Sequence, residues 1–379
     1  MLVCKLIFGI IFIILFAFIL TDVVINGSSI YKRWKIGRWE NKREWLDAVI
    51  NVSNRWFYHA PVVKKTDQTR YLLKDIIQGN YKNNTIQSWQ IGGLYLGLAE
   101  KGQDVNKLQS QLINMKTGEW KEKPREVDYA LLAYGILKST DNVQKVKPAM
   151  DEIYQLILER YQESDQTVCY RMFHSEIRFV DTIGFICPFL MCYSKKYNCK
   201  KARIIAENQI MQYYKTAYME HSGLIAHAYD NEIEVPLGIY GWGRGMGWWM
   251  LGIMDSYLEI PSEQLKNLIK ETADKLMKLE NSNGGFSSNL ALKNNTESSV
   301  TAIAAYFYQK CYEITSKKQY QEVSERCIKA LMKNTRRNGE IDFSQGDTKG
   351  IGIYSLTYDI MPFTQGIATR LNIEEIRNE

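Results

Sequence analysis

The sequence predicts an all-α protein made of helical hairpins, either closed into a ring or stacked as an open array. Three observations carry this expectation. From about Trp39 onward, apolar residues recur at helical spacing in one segment after another. Each segment has the length of a helix and ends in a polar or Gly/Asn connection, while period-two alternation is weak. No composition shift and no strict repeat divides the chain, so about a dozen helices share roughly 330 residues as one unit. The full chain of 379 residues is long for an ordinary domain, but toroids and solenoids reach this size.

The elements come in order along the chain. Leu6 to Leu20 is an unbroken apolar run, preceded by Lys5 and followed, after Thr21-Asp22, by Val23, Val24 and Ile25. At the N-terminus such a run reads as a transmembrane signal-anchor over residues 1–27. A cleaved signal peptide is the alternative, although no small-x-small cleavage site comes after it. Residues 28–40 form a basic stem with Lys32, Arg33, Lys35 and Arg38. These cations outnumber Lys5, which by the positive-inside rule opposes export of the C-terminal domain. A large domain nonetheless translocates despite flanking charge. Residues 41–379 form the helical domain. Its apolar faces are Trp45, Val49, Val52 and Trp56, then Ile91, Leu94, Tyr95 and Leu98. Similar patterns cover 130–137, 150–158, 183–193, 204–214, 248–258, 265–279, 300–312 and 320–331. Strand alternation is weak, apart from short candidates such as Gly284–Ser287 and Ile351–Tyr354.

Composition narrows the function. The formal net charge is +6 with Lys and Arg scattered among acids, which does not support nucleic-acid binding. The 24 tyrosines and nine tryptophans exceed what packing needs and suit a carbohydrate groove. Seven cysteines include no C-x-x-C pair; the six beyond Cys4 suit either bridges or buried thiols. Four dispersed histidines, with no H-x₃-H or H-E-x-x-H, give no support for a metal site.

Five islands of polar or aromatic residues stand at helix starts. The most telling is Trp242-Gly243-Arg244-Gly245-Met246-Gly247-Trp248-Trp249. Glycine weakens a helix by roughly 1 kcal/mol relative to alanine, so three in one short run need a reason. Backbone close to a ligand is one reason; a tight helix contact is the other. Arg244 and Trp248, four apart, share a helix face. Together they offer charge for an acid group and a flat plate for a sugar ring. Asp181 lies among Val180, Ile183 and Phe185, and an apolar surround favours the neutral acid that a general acid at neutral pH requires. Asp128 opens another helix; both aspartates also suit N-caps. His227 and Asp230 form a further island, open to a purely structural hydrogen bond. Glu297 leads Ser298-Ser299 into the helix at Val300, where capping is the plain alternative. In a toroid, alternate helix ends converge on one funnel, which would bring these islands together.

In order, Val180-Asp181-Thr182 with Pro188-Phe189-Leu190, His227-Ala228-Tyr229-Asp230, Trp242-Gly243-Arg244-Gly245-Met246-Gly247-Trp248 and Glu297-Ser298-Ser299 resemble the motifs of unsaturated glycuronyl hydrolases. The resemblance is closer to the unsaturated rhamnogalacturonyl hydrolases of glycoside hydrolase family 105 than to the related family 88. It spans about Trp89 to Gly366. Met246 stands where the family pattern has Asn, and Phe179 where it has Trp. The resemblance implies an (α/α)₆ barrel and hydration of the C4=C5 double bond that polysaccharide lyases leave in a terminal uronic acid. It makes Asp181 the acid/base and Asp128 the second active-site aspartate. His227, Asp230, Trp242, Arg244, Trp248 and Glu297 would bind the substrate, an oligosaccharide ending in an unsaturated uronic acid. It implies no metal and no organic cofactor. Such an activity favours the exported side, periplasmic or extracellular, for the barrel. The alternatives are an α/α-barrel sugar epimerase, an ordinary glycosidase, or a non-catalytic, membrane-anchored glycan-binding toroid.

Overall fold

A computed structural model of the chain describes residues 1–83, 86–293 and 295–373; the last residues of the expected helical domain, 374–379, lie outside it. Its helices are α1 (Leu2–Arg33), α2 (Lys42–Tyr58), α3 (Leu72–Ile77), α4 (Ser88–Glu100), α5 (Val105–Leu112), α6 (Tyr129–Ser139) and α7 (Val143–Leu158). They continue with α8 (Val180–Tyr197), α9 (Lys200–Ala217), α10 (Gly243–Glu259), α11 (Glu263–Leu276), α12 (Ser298–Thr315), α13 (Lys318–Lys333) and α14 (Pro362–Thr369).

Helices α4, α6, α8, α10, α12 and α14 pack each on the next, and α14 packs back on α4. The ring is therefore closed, which rules out the open array. Burial explains the division of labour. α8 buries every residue from Thr182 to Ser194, and α10 every residue from Gly243 to Ser256, because inner helices meet protein on all sides. α7 buries a single stripe, with Val146, Ala149, Met150, Ile153, Tyr154 and Ile157, and turns its other face to water. α9, α11 and α13 lie outside α8, α10 and α12, and α2 lies across α14 and α4. Because each inner helix is followed by an outer return, the inner helices run the same way and their N-termini open on one mouth.

Closure depends on glycine. A Cβ on Gly366 of α14 would lie 2.2 Å from Gly93 C and 2.3 Å from Leu94 N of α4. Both obstacles are backbone, so neither can turn aside. Gly366→Ala is expected to push α14 off α4 and cost at least the ~1–3 kcal/mol of an overpacked core. Chemical denaturation checks this; an unshifted midpoint would mean the ring adapts.

The opposite end of the ring holds a buried charge cluster. Arg370, which follows α14, donates to Asp255 Oδ2 at 2.9 Å and Oδ1 at 3.0 Å, to both Glu100 oxygens at 3.0 Å, and to the Tyr306 hydroxyl at 2.6 Å. Burial alone would raise Glu100, but Arg370 and Lys138 hold its carboxyl down at about 2.

Several expectations change. Helix α1 runs through Arg33, so residues 28–33 of the stem continue the apolar helix. The stem is also docked: Arg33 pairs with buried Asp342 at 2.8 Å, Gly37 N–H donates to Thr335 O, and the Trp39 indole donates to Arg336 O. Helix α1 is long and apolar enough to cross a membrane and has no buried residue. All seven cysteines are free. Helices α5 and α14 carry too short a pattern to stand out in sequence. Gly284–Ser287 and Ile351–Tyr354 contribute only the isolated bridges Ser287–Thr296 and Gly350–Ile353. The real sheet is elsewhere: Leu224–Asp230 pairs antiparallel with Ile177–Phe179, Tyr218–Met219 and Val235–Tyr240.

Candidate active site

At the mouth of the ring lies a cleft of about 450 Å³, a volume typical of small-ligand sites. Trp89, Tyr170, Phe179, Phe185, Trp242 and Trp248 wall it, and Asp181, His227 and Arg244 reach into it.

Asp181 is the second residue of α8, whose N-cap position is Phe179, so it is not the cap. Its side chain is 16% exposed, and among the described residues Oδ2 has no hydrogen-bond donor. Burial pushes the carboxyl up to about 7, against the pull of Arg244. The folded chain therefore keeps a proton that the unfolded chain loses above about pH 4. This contribution to stability is complete below the unfolded pKa and is lost as pH rises through about 7.

His227 is carried by the strand Leu224–Asp230 and lines the cleft. Its Nε2 lies 3.8 Å from Asp181 Oδ2, and its Nδ1 lies 3.2 Å from the Tyr354 hydroxyl. Burial, then the charge of Arg244, pulls His227 down to about 4. It is neutral at neutral pH. Its stability contribution runs opposite to that of Asp181: present above about 6.5 and lost as pH falls through about 4.

Trp242 is the N-cap residue of α10, and its ring centroid sits 4.5 Å from that of His227. Arg244, the second residue of α10, donates Nη1–H to Gln345 O and Nη2–H to Gly346 O at 2.8 Å. Asp347 Oδ1 stands 3.8 Å away. The guanidinium thus clamps the loop between α13 and α14 and lends its charge to the cleft. Trp248 packs edge-on against Phe185 at 4.5 Å, and its indole nitrogen has no hydrogen-bond partner among the described residues. Gly184 makes room for it, since a Cβ there would lie 2.7 Å from Trp248 Cε3.

The other expected residues stand apart from the cleft lining. Asp128 occupies the N-cap position of α6 without making a side-chain cap bond. It is buried beside Ser88, whose neighbours Gln87 and Trp89 line the cleft, and its Oδ1 has no partner among the described residues. Burial raises its carboxyl, with Ser88 opposing. Asp230 accepts from Glu232 N–H at 2.9 Å and Ile233 N–H at 3.2 Å, closing the turn after its strand. Glu297 caps α12, accepting from the Ser299 and Val300 N–H groups, and also from Gln345 N–H at 2.8 Å. Its carboxylate is committed to holding the loop that Arg244 clamps. Among the described residues no group of three or more His, Cys, Asp or Glu side chains is placed to hold a metal ion.

Sequence reasoning missed Tyr170, Phe179 and Phe185 as wall residues, and Asp347, which lifts Asp181 further. Asp347 lies in a loop with no helix start beside it. The turn signal Gly346-Asp347 was its only trace.

The model of Glycosyl Hydrolase Family 88 matches residues 78–378. The chain belongs to that family. This family-88 chain is a glycoside hydrolase with a six-hairpin barrel. Solved structures share its fold. A possible family-105 member from Salmonella enterica has a TM-score of 0.71 at 16% identity, covering 88% of this chain and 93% of its own. A family-105 glycoside hydrolase from Clostridium acetobutylicum gives 0.64 at 18% identity over 79% of this chain and 96% of its own. The unsaturated glucuronyl hydrolase of Bacillus sp. GL1, responsible for glycosaminoglycan degradation, gives 0.60 at 13% identity over 86% and 93%. No curated protein matches by sequence.

Proposed function

We propose that this glycoside hydrolase removes a terminal 4,5-unsaturated uronic acid from oligosaccharides made by polysaccharide lyases. The observation that carries the reading is Asp181, a carboxyl raised to about 7 by burial in an aromatic cleft beside a neutral imidazole. A carboxyl protonated near neutral pH is the acid that a vinyl ether requires. Asp181 gives its proton to C4, and positive charge develops at C5 and the ring oxygen. The resulting carboxylate then takes a proton from water as the water oxygen bonds C5. The hemiketal so formed opens and releases the linked sugar. One residue acts first as acid and then as base, so the two-carboxylate spacing of ordinary glycosidases does not apply. Neutral His227 helps orient the water, and Asp128 supports the site from behind Trp89. Arg244 supplies positive charge for the uronate carboxylate, and Trp242 and Trp248 the apolar wall for its ring. Helix α1 anchors the barrel on the exported face, where polymers too large to cross a membrane are met.

Incubation with lyase-generated oligosaccharides, followed through the ultraviolet absorbance of the C4=C5 bond, tests this. The absorbance is expected to disappear. It would persist for an epimerase, a binding protein or an ordinary glycosidase. Turnover should follow a bell, falling about tenfold per pH unit above about 7 as Asp181 ionises, and falling below about 4 as His227 protonates. A rate that keeps rising above pH 8 would remove Asp181 from the acid role.

A further inference from the structure

Beside the stem, away from the cleft, two adjoining hollows of about 1030 Å³ and 210 Å³ share Lys32, Val62, Lys82, Arg336 and Ile360 as lining, and so form one groove between α1 and the barrel. Its two ends differ in chemistry. At one end Val24 and Ile25, on the apolar stretch of α1, form the wall. Farther along, Lys32, Lys64 and Lys82 line it, and none of these ammonium groups has an ion-pair partner among the described residues. Trp34, 69% exposed, closes the far side. The acids in the groove, Glu340 and Asp359, are paired with Arg336 at 3.1 and 2.7 Å; Arg336 also pairs with Asp342, and Arg33 and Arg55 supply the remaining positive charge at Asp342 and Glu340.

With α1 read as a membrane anchor, this groove lies at the membrane surface. From Ile25 to Lys32 is about 10 Å along the helix axis, enough to cross the roughly 5–8 Å headgroup layer of one leaflet. An exposed tryptophan with lysines just beyond an apolar helix is the composition of that layer. Arg33 pairs with Asp342, and Asp22 accepts from the Tyr71 and Leu72 N–H groups, so the helix is fixed to the barrel on both sides of the groove.

We propose that this groove is a binding site for an anionic phospholipid, with acyl chain against Val24 and Ile25 and phosphate among Lys32, Lys64 and Lys82. The site seats the barrel directly on the membrane. The proposal rests on the reading of α1 as an uncleaved anchor. Full-length protein, extracted in mild detergent and equilibrated with equal amounts of phosphatidylglycerol and phosphatidylcholine, is examined by native mass spectrometry. Wild type is expected to retain phosphatidylglycerol preferentially, on the order of fivefold for each lysine engaged. The variant K32E/K64E/K82E should lose this preference while still fractionating with membranes and hydrolysing soluble substrate at the wild-type rate. Equal retention of the two lipids by wild type, or an unchanged preference in the variant, overturns the lipid site and leaves the anchor standing. A mature chain that starts after residue 25 removes the groove wall and overturns both.

Discussion

Asp181→Asn is expected to lower turnover of unsaturated uronides by ~10²–10⁴-fold, the usual worth of general acid–base help. The amide keeps the size and hydrogen-bonding capacity of the side chain but has no proton to give C4. The fold should survive. Oδ2 has no donor to lose among the described residues, and burial disfavours the ionised carboxyl that the substitution removes. Melting at neutral pH should therefore be unchanged or slightly raised. Turnover measured with the lyase-product assay, beside a melt of the same sample, decides the matter. A folded variant with near-wild-type turnover would assign the proton to another group, and Asp128, also raised by burial, would be next to test.

Arg370→Ala is expected to destabilise the protein by about 3–5 kcal/mol, the cost of removing one partner from a buried ion pair. Asp255 and Arg370 are both almost fully buried, and Tyr306 and Glu100 complete the cluster. Removing the guanidinium strands Asp255 without its counter-charge at a point where α4, α10, α12 and α14 meet. Glu100 keeps Lys138 but loses the partner that does most to hold it near 2, so acid resistance should also fall. In wild type the Glu100 contribution is present above about 4.5 and is lost as pH falls through about 2. The urea midpoint at neutral pH and at pH 4 provides the check. Loss of less than about 1 kcal/mol would mean that water replaces the guanidinium. Because the cluster lies at the end opposite the cleft, turnover per folded molecule should not change, which separates this effect from that of Asp181.

How much of the site is legible in the chain depends on where each residue gets its neighbours. Trp242, Arg244 and Trp248 were found because a glycine-rich run before an apolar pattern announces a helix mouth, and α10 starts at Gly243. Asp181 was found because its immediate neighbours are apolar, and burial does raise it. His227 was marked as part of an island, but not as a strand residue, because Leu224–Asp230 is buried on both sides and shows no alternation. Asp230 and Glu297 were grouped with it by order along the chain. Order does not say that one closes a turn and the other holds Gln345. Asp347 was missed because its relations to the site are to Arg244 and Asp181, both more than about a hundred residues earlier in sequence.

By itself the sequence determined the longer helices, the apolar N-terminal segment and the helix-mouth positions of Asp128, Asp181, Trp242, Arg244 and Glu297, since all of these depend on spacing within one turn or one element. Helical spacing left open whether the hairpins close or stack, and only the family resemblance implied closure; the tertiary structure shows it, with Gly366 of α14 against the Gly93 backbone of α4, from opposite ends of the row of hairpins. It alone decided that Arg244 clamps the loop at Gln345 and Gly346, and that desolvation outweighs the Arg244 charge at Asp181. Both are balances among groups brought together from distant parts of the chain. A linear pattern records which residues are available for such a balance and not how far apart folding leaves them.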